Sequence, residues 1–341
     1  MRAVGYQNPL LIEDPAALVD IDVPKPEPDG RDLLVAVKAI SVNPVDTKVR
    51  KSVKPAEGAW KILGWDAAGT VTAVGPQATL FKSGDAVFYA GAQERPGTNA
   101  EFHLVDERIV GLKPQSLGWS EAAALPLTAI TAWEALFDRL QVGRSVPGAA
   151  NAILIVGGAG GVGSIAVQLA RTLTDLTVIA TASRPETQRW VKELGAHHVI
   201  DHRKPLAQEV AALGLGAPGF VFSTTNTDQH LAEIVELIAP QGRFALIDNP
   251  AQLDINPFKR KSVSTHCEFM FTRSMFATAD MAAQGALLNE IARLIDAGRL
   301  RTTLSERFGP INAASLRRAH ALIESGRAMG KIVLEGYESD P

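Results

Sequence analysis

The feature that most constrains this chain is a run of glycines, Gly157-Gly158-Ala159-Gly160-Gly161-Val162-Gly163, set between two apolar segments, Ile153–Val156 and Ser164–Ala170. An apolar strand, a tight glycine turn and an apolar helix in succession open a βαβ unit. Within the run, Gly158, Gly160 and Gly163 form the pattern G-x-G-x-x-G. Glycines there let the backbone turn sharply and approach a pyrophosphate. The helix start offers unpaired N–H groups and the positive end of a dipole. Gly158, Gly160, Gly161, Val162 and Gly163 are therefore candidate dinucleotide-binding residues. The stretch Val146–Ala170 carries no charge and has the length of a membrane span, yet it contains Pro147 and six glycines, which suit a strand, turn and helix better.

The sequence around the glycine run keeps the same rhythm. Strands are expected at Ala152–Val156, Thr177–Thr181, His198–Ile200, Phe220–Ser223 and Arg243–Ile247. Helices are expected between them at Gly161–Thr172, Pro185–Leu194, Pro205–Leu213 and Asp228–Ile238. Such alternation means a doubly wound parallel sheet. The first 125 residues read differently, as short strands at Leu33–Ile40, Gly69–Val74, Ala86–Tyr89 and Glu101–Val105 separated by Pro and Gly turns. Glu121–Leu140 is rich in Ala and Leu and reads as helix, broken or restarted at Pro126. Beyond His266 the pattern loosens, with helices expected at Met281–Ala297 and Ala313–Ser325 and strands near Thr303–Phe308 and Lys331–Leu334.

Length and charge narrow the function classes. A chain of 341 residues suggests two domains. A net charge of −3 argues against a nucleic-acid binder. The single cysteine, Cys267, can form neither an internal disulfide nor a thiolate-rich metal site, and it fits a reducing, cytoplasmic setting. The seven histidines do not cluster at ligand spacing, so no bound metal is expected.

The second strand of the βαβ region bears on which dinucleotide binds. An NAD site places Asp or Glu at its end, on the ribose 2′-hydroxyl. Here Thr177–Thr181 runs into Ala182-Ser183-Arg184 with no carboxylate, and Asp175 stands at the wrong end. A small donor and a guanidinium suit a 2′-phosphate. Ser183 and Arg184 therefore point to NADPH. Two further places offer polar groups beside apolar strands. Tyr89 follows one strand, where its phenol could polarise a carbonyl or simply pack. Asn43 and Asp46, in Ser41-Val42-Asn43-Pro44-Val45-Asp46, follow another and read as a turn.

Taken together, Ser41–Arg50, Gly64–Gly69, Gly84–Val87, Glu121–Trp133 and Gly157–Gly163 resemble the medium-chain dehydrogenase/reductase superfamily over essentially the whole chain. The likeness is to its quinone oxidoreductase-like branch, in the group labelled zinc-type alcohol dehydrogenase-like. The resemblance implies an α/β architecture, with a Rossmann domain over 126–272 inserted into a GroES-like β-rich catalytic domain formed by 1–125 and 273–341. It implies an active site in the cleft between the two, and a homodimer. Zinc-dependent relatives carry Cys where this chain has Asn43, His-Glu where it has Trp65-Asp66, and a third ligand, Cys, near Pro126 or Leu127. Every ligand is missing. Quinone reductases of this type use a tyrosine near the third strand on the 2′-phosphate, and the matching stretch here offers His202.

These readings converge on a zinc-independent NADPH-dependent reductase of quinones or α,β-unsaturated carbonyls. Asn43 and Tyr89 are the candidates for contacting the substrate oxygen, and Asp46 for ordering the loop or the nicotinamide edge. The partners expected are a small carbonyl or quinone substrate, and neither a membrane nor a nucleic acid. The alternatives are an NADPH-binding protein with little turnover, and an alcohol dehydrogenase, which the missing ligands disfavour.

Overall fold

The structure, a computed structural model, describes residues 1–337. The chain divides into two compact units. One is Met1–Ile130 together with the chain from Phe271 onward, and the other is Thr131–Met270.

The first unit is β-rich. In chain order it contains β1 (Arg2–Tyr6), β2 (Val19–Asp22), β3 (Asp32–Val42), α1 (Pro44–Ser52), β4 (Lys61–Ile62), β5 (Asp66–Val74), β6 (Ala86–Ala90), β7 (Phe102–Asp106), β8 (Val110–Leu112), α2 (Trp119–Ala123) and α3 (Pro126–Trp133). Pro126 does restart the helix, as expected, because it can open a helix but not continue one. Strand β3 is the hub of the unit. It pairs antiparallel with β5 and β7, and most of its residues are buried on both faces.

In the second unit the strands are β9 (Ala150–Val156), β10 (Thr177–Thr181), β11 (His198–Ile200), β12 (Pro218–Ser223), β13 (Arg243–Leu246) and β14 (Ser264–Cys267). The helices are α4 (Gly161–Leu173), α5 (Pro185–Glu193), α6 (Leu206–Ala211) and α7 (Thr227–Leu237). All six strands are parallel, in the order β11-β10-β9-β12-β13-β14. This is the doubly wound arrangement, built outward from β9 in both directions. Its core includes Leu154, Ile179, Val221, Ile234 and Phe244, all fully buried. Strand β14 has no counterpart among the expected strands.

The remaining chain returns to the first unit through α8 (Thr272–Met275), α9 (Ala283–Asp296), β15 (Leu304–Arg307), α10 (Ala313–Glu324) and β16 (Lys331–Glu335). Strand β16 pairs antiparallel with β3, Ile332 opposite Val42. Strand β16 thus joins the sheet that β3 organises. Among the described residues no helix is long and apolar enough to cross a membrane, so the charge-free stretch Val146–Ala170 folds as strand, turn and helix.

The stretch Ser41–Asp46 departs from the expected turn. Ser41 and Val42 complete β3, and Asn43 is the N-cap residue of α1 with Pro44 in the first turn. Asp46, three residues on, accepts the Asn43 N–H at 2.7 Å. A carboxylate at that place satisfies a donor that the helix start leaves without an intrahelical partner.

Candidate functional site

The carboxyl ends of the parallel strands carry the glycine loop. Gly157 has φ +80° and donates its N–H to Thr181 Oγ1 at 2.9 Å. The glycines differ in what a side chain would meet. A Cβ on Gly163 would lie 2.2 Å from the Gly157 carbonyl oxygen, and one on Gly158 would lie 2.9 Å from Ala180 Cβ. Those two glycines let α4 pack closely on the sheet. Gly160 is different. Its φ of −72° and ψ of 175° suit any residue. A Cβ there would meet only the Gly157 carbonyl oxygen, at 3.5 Å, an ordinary contact. The protein leaves open the space that a Cβ at this glycine would fill.

Gly160 caps α4 without a side-chain bond, and the first turn holds no acidic residue. The first α-type bond of the helix runs from Ser164 N–H to the Gly160 carbonyl. The N–H groups of Gly161, Val162 and Gly163 therefore begin the helix without an intrahelical acceptor. Such a helix start attracts an anion, and these residues fit the phosphates of a dinucleotide.

The ends of β10 and β11 bring a second group together. His202 Nδ1 lies 3.3 Å from Thr181 Oγ1, the same hydroxyl that receives the Gly157 N–H. Burial holds the His202 imidazole below its ordinary value against the pull of Asp201. Ser183 is half-buried, and its carbonyl accepts from Arg203 Nη2 at 3.0 Å. Arg184 caps α5 and pairs through Nε with Glu186 at 3.1 Å, both partly exposed. Arg203 is a member of this group that the sequence reading left out. Its guanidinium also bridges to Asp201 at 2.6 Å and holds that carboxyl low, at about 2. The only available signal was its place directly after His202 at a strand end.

The first unit holds a buried polar cluster on β3, β5 and β16. Asp66 is its centre. Its Oδ1 accepts the Leu127 N–H at 2.7 Å, and its Oδ2 accepts from Asn43 Nδ2 at 2.8 Å and from Lys331 Nζ at 3.0 Å. The Lys331 ammonium also donates to Asn43 Oδ1 and to the Val42 carbonyl, so all three of its protons have acceptors. Asn43 is only 1% exposed, and its second amide proton goes to the Ser41 carbonyl. Burial pushes the neighbouring Asp46 carboxyl up to about 7, against backbone N–H bonds from Asn43 and Gly64 and the pull of Lys331. Tyr89 is fully buried, and its hydroxyl meets His103 Nδ1 at 3.1 Å. Burial raises the phenol well above its usual value and lowers His103 to about 4.

At the two expected substrate contacts, Asn43 and Tyr89, both side chains are buried, the amide protons of Asn43 go to Asp66 and the Ser41 carbonyl, and the Tyr89 hydroxyl meets His103.

The cluster also tests the unit against zinc. The positions that the resemblance would assign to ligands carry an amide at Asn43, an indole at Trp65 and an aliphatic residue at Pro126 or Leu127. The oxygens that remain, Asn43 Oδ1 and Asp66 Oδ2, already hold a buried ammonium. A dication would have to displace it and would find no thiolate or imidazole in its place. Among the described residues no group of three His, Cys, Asp or Glu side chains could hold a metal ion. The residues do not fit zinc.

Comparison with known proteins agrees with both units. Residues 29–132 match the alcohol dehydrogenase GroES-like domain family, and residues 194–334 match the zinc-binding dehydrogenase family. A zinc-type alcohol dehydrogenase-like protein of Staphylococcus aureus (strain MSSA476) is 40% identical over 98% of this chain and 99% of its own. A quinone oxidoreductase of Lama guanicoe is 29% identical over 92% of this chain and 91% of its own. A crystal structure from Rhizobium etli CFN 42, provisionally titled a zinc-dependent alcohol dehydrogenase, is 70% identical with a TM-score of 0.98 and covers 99% of both chains.

Proposed function

The chain belongs to the medium-chain dehydrogenase/reductase superfamily, an oxidoreductase family with a nicotinamide dinucleotide-binding fold, and on that basis we propose that it is a zinc-independent, NADPH-dependent reductase of quinones or α,β-unsaturated carbonyls. One observation carries the reading: the positions that the resemblance assigns to zinc ligands hold Asn43, Trp65 and Pro126 or Leu127, with the Lys331 ammonium bound between Asn43 and Asp66. Without a Lewis acid to polarise an alcohol or a simple carbonyl, the acceptor must itself be electron-poor.

The cofactor supplies the hydride. The chain supplies binding and orientation. Gly158, Gly160, Gly161, Val162 and Gly163 receive the phosphates at the start of α4. Ser183, Arg184 and His202 receive the adenosine 2′-phosphate, with Arg203 reinforcing them. In this reading Asn43, Asp46 and Tyr89 act indirectly. Asn43 and Asp46 fix the start of α1, and Tyr89 fixes the end of β6. The protein would work in the cytoplasm as a homodimer.

The test is an NADPH- and NADH-oxidation screen over small quinones, enals, enones and simple aldehydes, run beside elemental analysis of the purified protein. Turnover of quinones or enones with NADPH preferred, no stoichiometric zinc and no effect of chelators supports the reading. Turnover confined to simple aldehydes and lost on chelation overturns it.

A further inference from the structure

A second histidine stands beside His202. It is His230, at the end of the first turn of α7, where its N–H donates to the Asn226 carbonyl at 3.3 Å. The two ring centroids are 6.3 Å apart, with the planes at 58°. Both residues are half-buried, so part of each ring stays open to a ligand.

The fixed charges around the rings offer an anion no net attraction. After β10, Arg184 pairs with Glu186 at 3.1 Å. After β11, Arg203 pairs with Asp201 at 2.6 Å and Lys204 with Glu209 of α6 at 3.5 Å. Each of these cations already has its own carboxylate. Asp228 and Glu233 share α7 with His230, and Asp248 lies beyond β13. Glu233 accepts the Ala207 N–H at 2.9 Å, and Asp248 accepts from Thr227. A phosphate dianion brought to this group needs new positive charge, and a histidine supplies it by taking a proton.

The two rings are set up for that. Burial disfavours the charged form of both. It does so at His202, with Arg203, against Asp201, and at His230, with the His202 ring, against Glu233, Asp228 and Asp248. The hydrogen-bond partner of His202 accepts either state. Thr181 Oγ1 receives the Gly157 N–H at 2.9 Å and stands 3.3 Å from His202 Nδ1. Its hydroxyl can donate to a bare Nδ1, and its remaining lone pair can accept from a protonated one. A proton added to His202 therefore strands no partner, and the same hydroxyl ties the ring to the glycine loop.

We propose that His202 and His230 form a proton-linked site for the adenosine 2′-phosphate, which takes up protons from solvent as the dianion binds, so that the preference for NADPH over NADH weakens as pH rises above neutrality. The inference rests on the cofactor reading above and adds His230 to it. Each imidazole that takes a proton returns one positive charge against the phosphate. NADH, with a 2′-hydroxyl at that place, brings no charge there and draws no such proton. The sign follows from linkage. A group that is easier to protonate in the complex strengthens binding at low pH, and the gain is lost as pH rises, by up to about tenfold per pH unit for each proton. The phosphate's own second proton, lost near about pH 6, is largely gone before that range begins.

The experiment measures NADPH and NADH binding by calorimetry from about pH 7 to 9, in buffers of different ionisation heat so that protons are counted. The parent should take up protons with NADPH and not with NADH, and its NADPH-to-NADH affinity ratio should fall about tenfold across the range, the effect of one linked proton. His202→Gln and His230→Gln, checked for parent-like melting, should each lower the proton count and flatten the ratio. The count in the parent needs no variant. Equal proton counts for the two dinucleotides in the parent, or a slope kept in full by His230→Gln, overturns the proposal and leaves the 2′-phosphate reading standing. NADPH bound no tighter than NADH at any pH overturns both.

Discussion

Gly160→Val separates a cofactor role from a folding role at one atom. The backbone at Gly160 is extended, with φ −72° and ψ 175°. A new Cβ meets nothing closer than the Gly157 carbonyl oxygen at 3.5 Å. Replacing glycine where the backbone suits a larger residue removes unfolded-state freedom, a gain of about 0.4–1 kcal/mol for alanine. The unliganded variant should therefore melt at or slightly above the parent. The parent with NADPH at a hundredfold excess over Kd gains about 2.7 kcal/mol. At roughly 2–4 °C per kcal/mol, that is a rise on the order of 5–10 °C. If the side chain weakens binding a hundredfold, the same NADPH concentration gives only about 0.4 kcal/mol, near 1 °C. Differential scanning fluorimetry reads both quantities. Gly163→Ala is the contrast, because its Cβ would lie 2.2 Å from the Gly157 carbonyl oxygen. It should lower the unliganded melt, by roughly 1–3 kcal/mol of overpacking strain. A Gly160→Val protein that melts as low as Gly163→Ala yet keeps its NADPH shift would refute the reasoning.

Arg184→Ala should weaken NADPH by roughly 1–3 kcal/mol, the range for a hydrogen bond to a charged group, and leave NADH nearly unchanged. Equal losses in a fluorescence titration would remove Arg184 from the 2′-phosphate. Lys331→Met strands the buried Asp66 carboxylate and should cost roughly 3–5 kcal/mol in urea unfolding, with Lys331→Met/Asp66→Asn recovering part of it. A double variant no better than the single one would show that the pair is not the source of the loss. Burial raises Asp46 from about 3.9 in an unfolded chain to about 7. The folded state then holds a proton that the unfolded state lacks, so stability is fullest below the lower value and falls as pH rises to the upper one. Asp46→Asn should flatten that part of the melt-versus-pH curve, and an unchanged slope would assign it elsewhere.

The parts of this molecule legible in its sequence are those whose causes are local. The glycine loop sits between a strand and a helix that its own neighbours specify. The strands Thr177–Thr181 and His198–Ile200 match their expected bounds because turn residues bracket short apolar runs. What escaped the sequence depends on partners far along the chain. Asn43 and Tyr89 read as strand-end polar groups open to a ligand. They are buried because Asn43 directly follows β3 and Tyr89 lies on β6, both interior strands of one sheet, and because Lys331, 288 residues away from Asn43, supplies a partner for that amide. Nothing in the Lys331–Leu334 pattern beyond an apolar strand announces that ammonium. The segment after α3 is a harder case: Glu134–Arg139 has the composition of an ordinary helix but folds as a π-helix, the Leu140 N–H reaching the Ala135 carbonyl at 2.9 Å.

The same logic bears on the zinc-type names of the relatives when set beside this chain. A metal site is a set of side chains converging from several strands, and replacing its ligands leaves polar groups that still need partners. Here the replacement is complete. The Asp66 oxygens between them bind the start of α3, the Asn43 amide and the Lys331 ammonium. Restoring cysteine at position 43 alone would therefore not restore zinc. It would remove an acceptor from Lys331 and place a thiol beside a buried cation, with Trp65 and the Pro126–Leu127 segment still offering no ligand. A single Asn43→Cys variant should lose stability and bind no more zinc than the parent, in a chelator competition with both proteins at equal concentration. Stoichiometric zinc uptake by that variant would mean that the ammonium cluster does not occupy the metal's place.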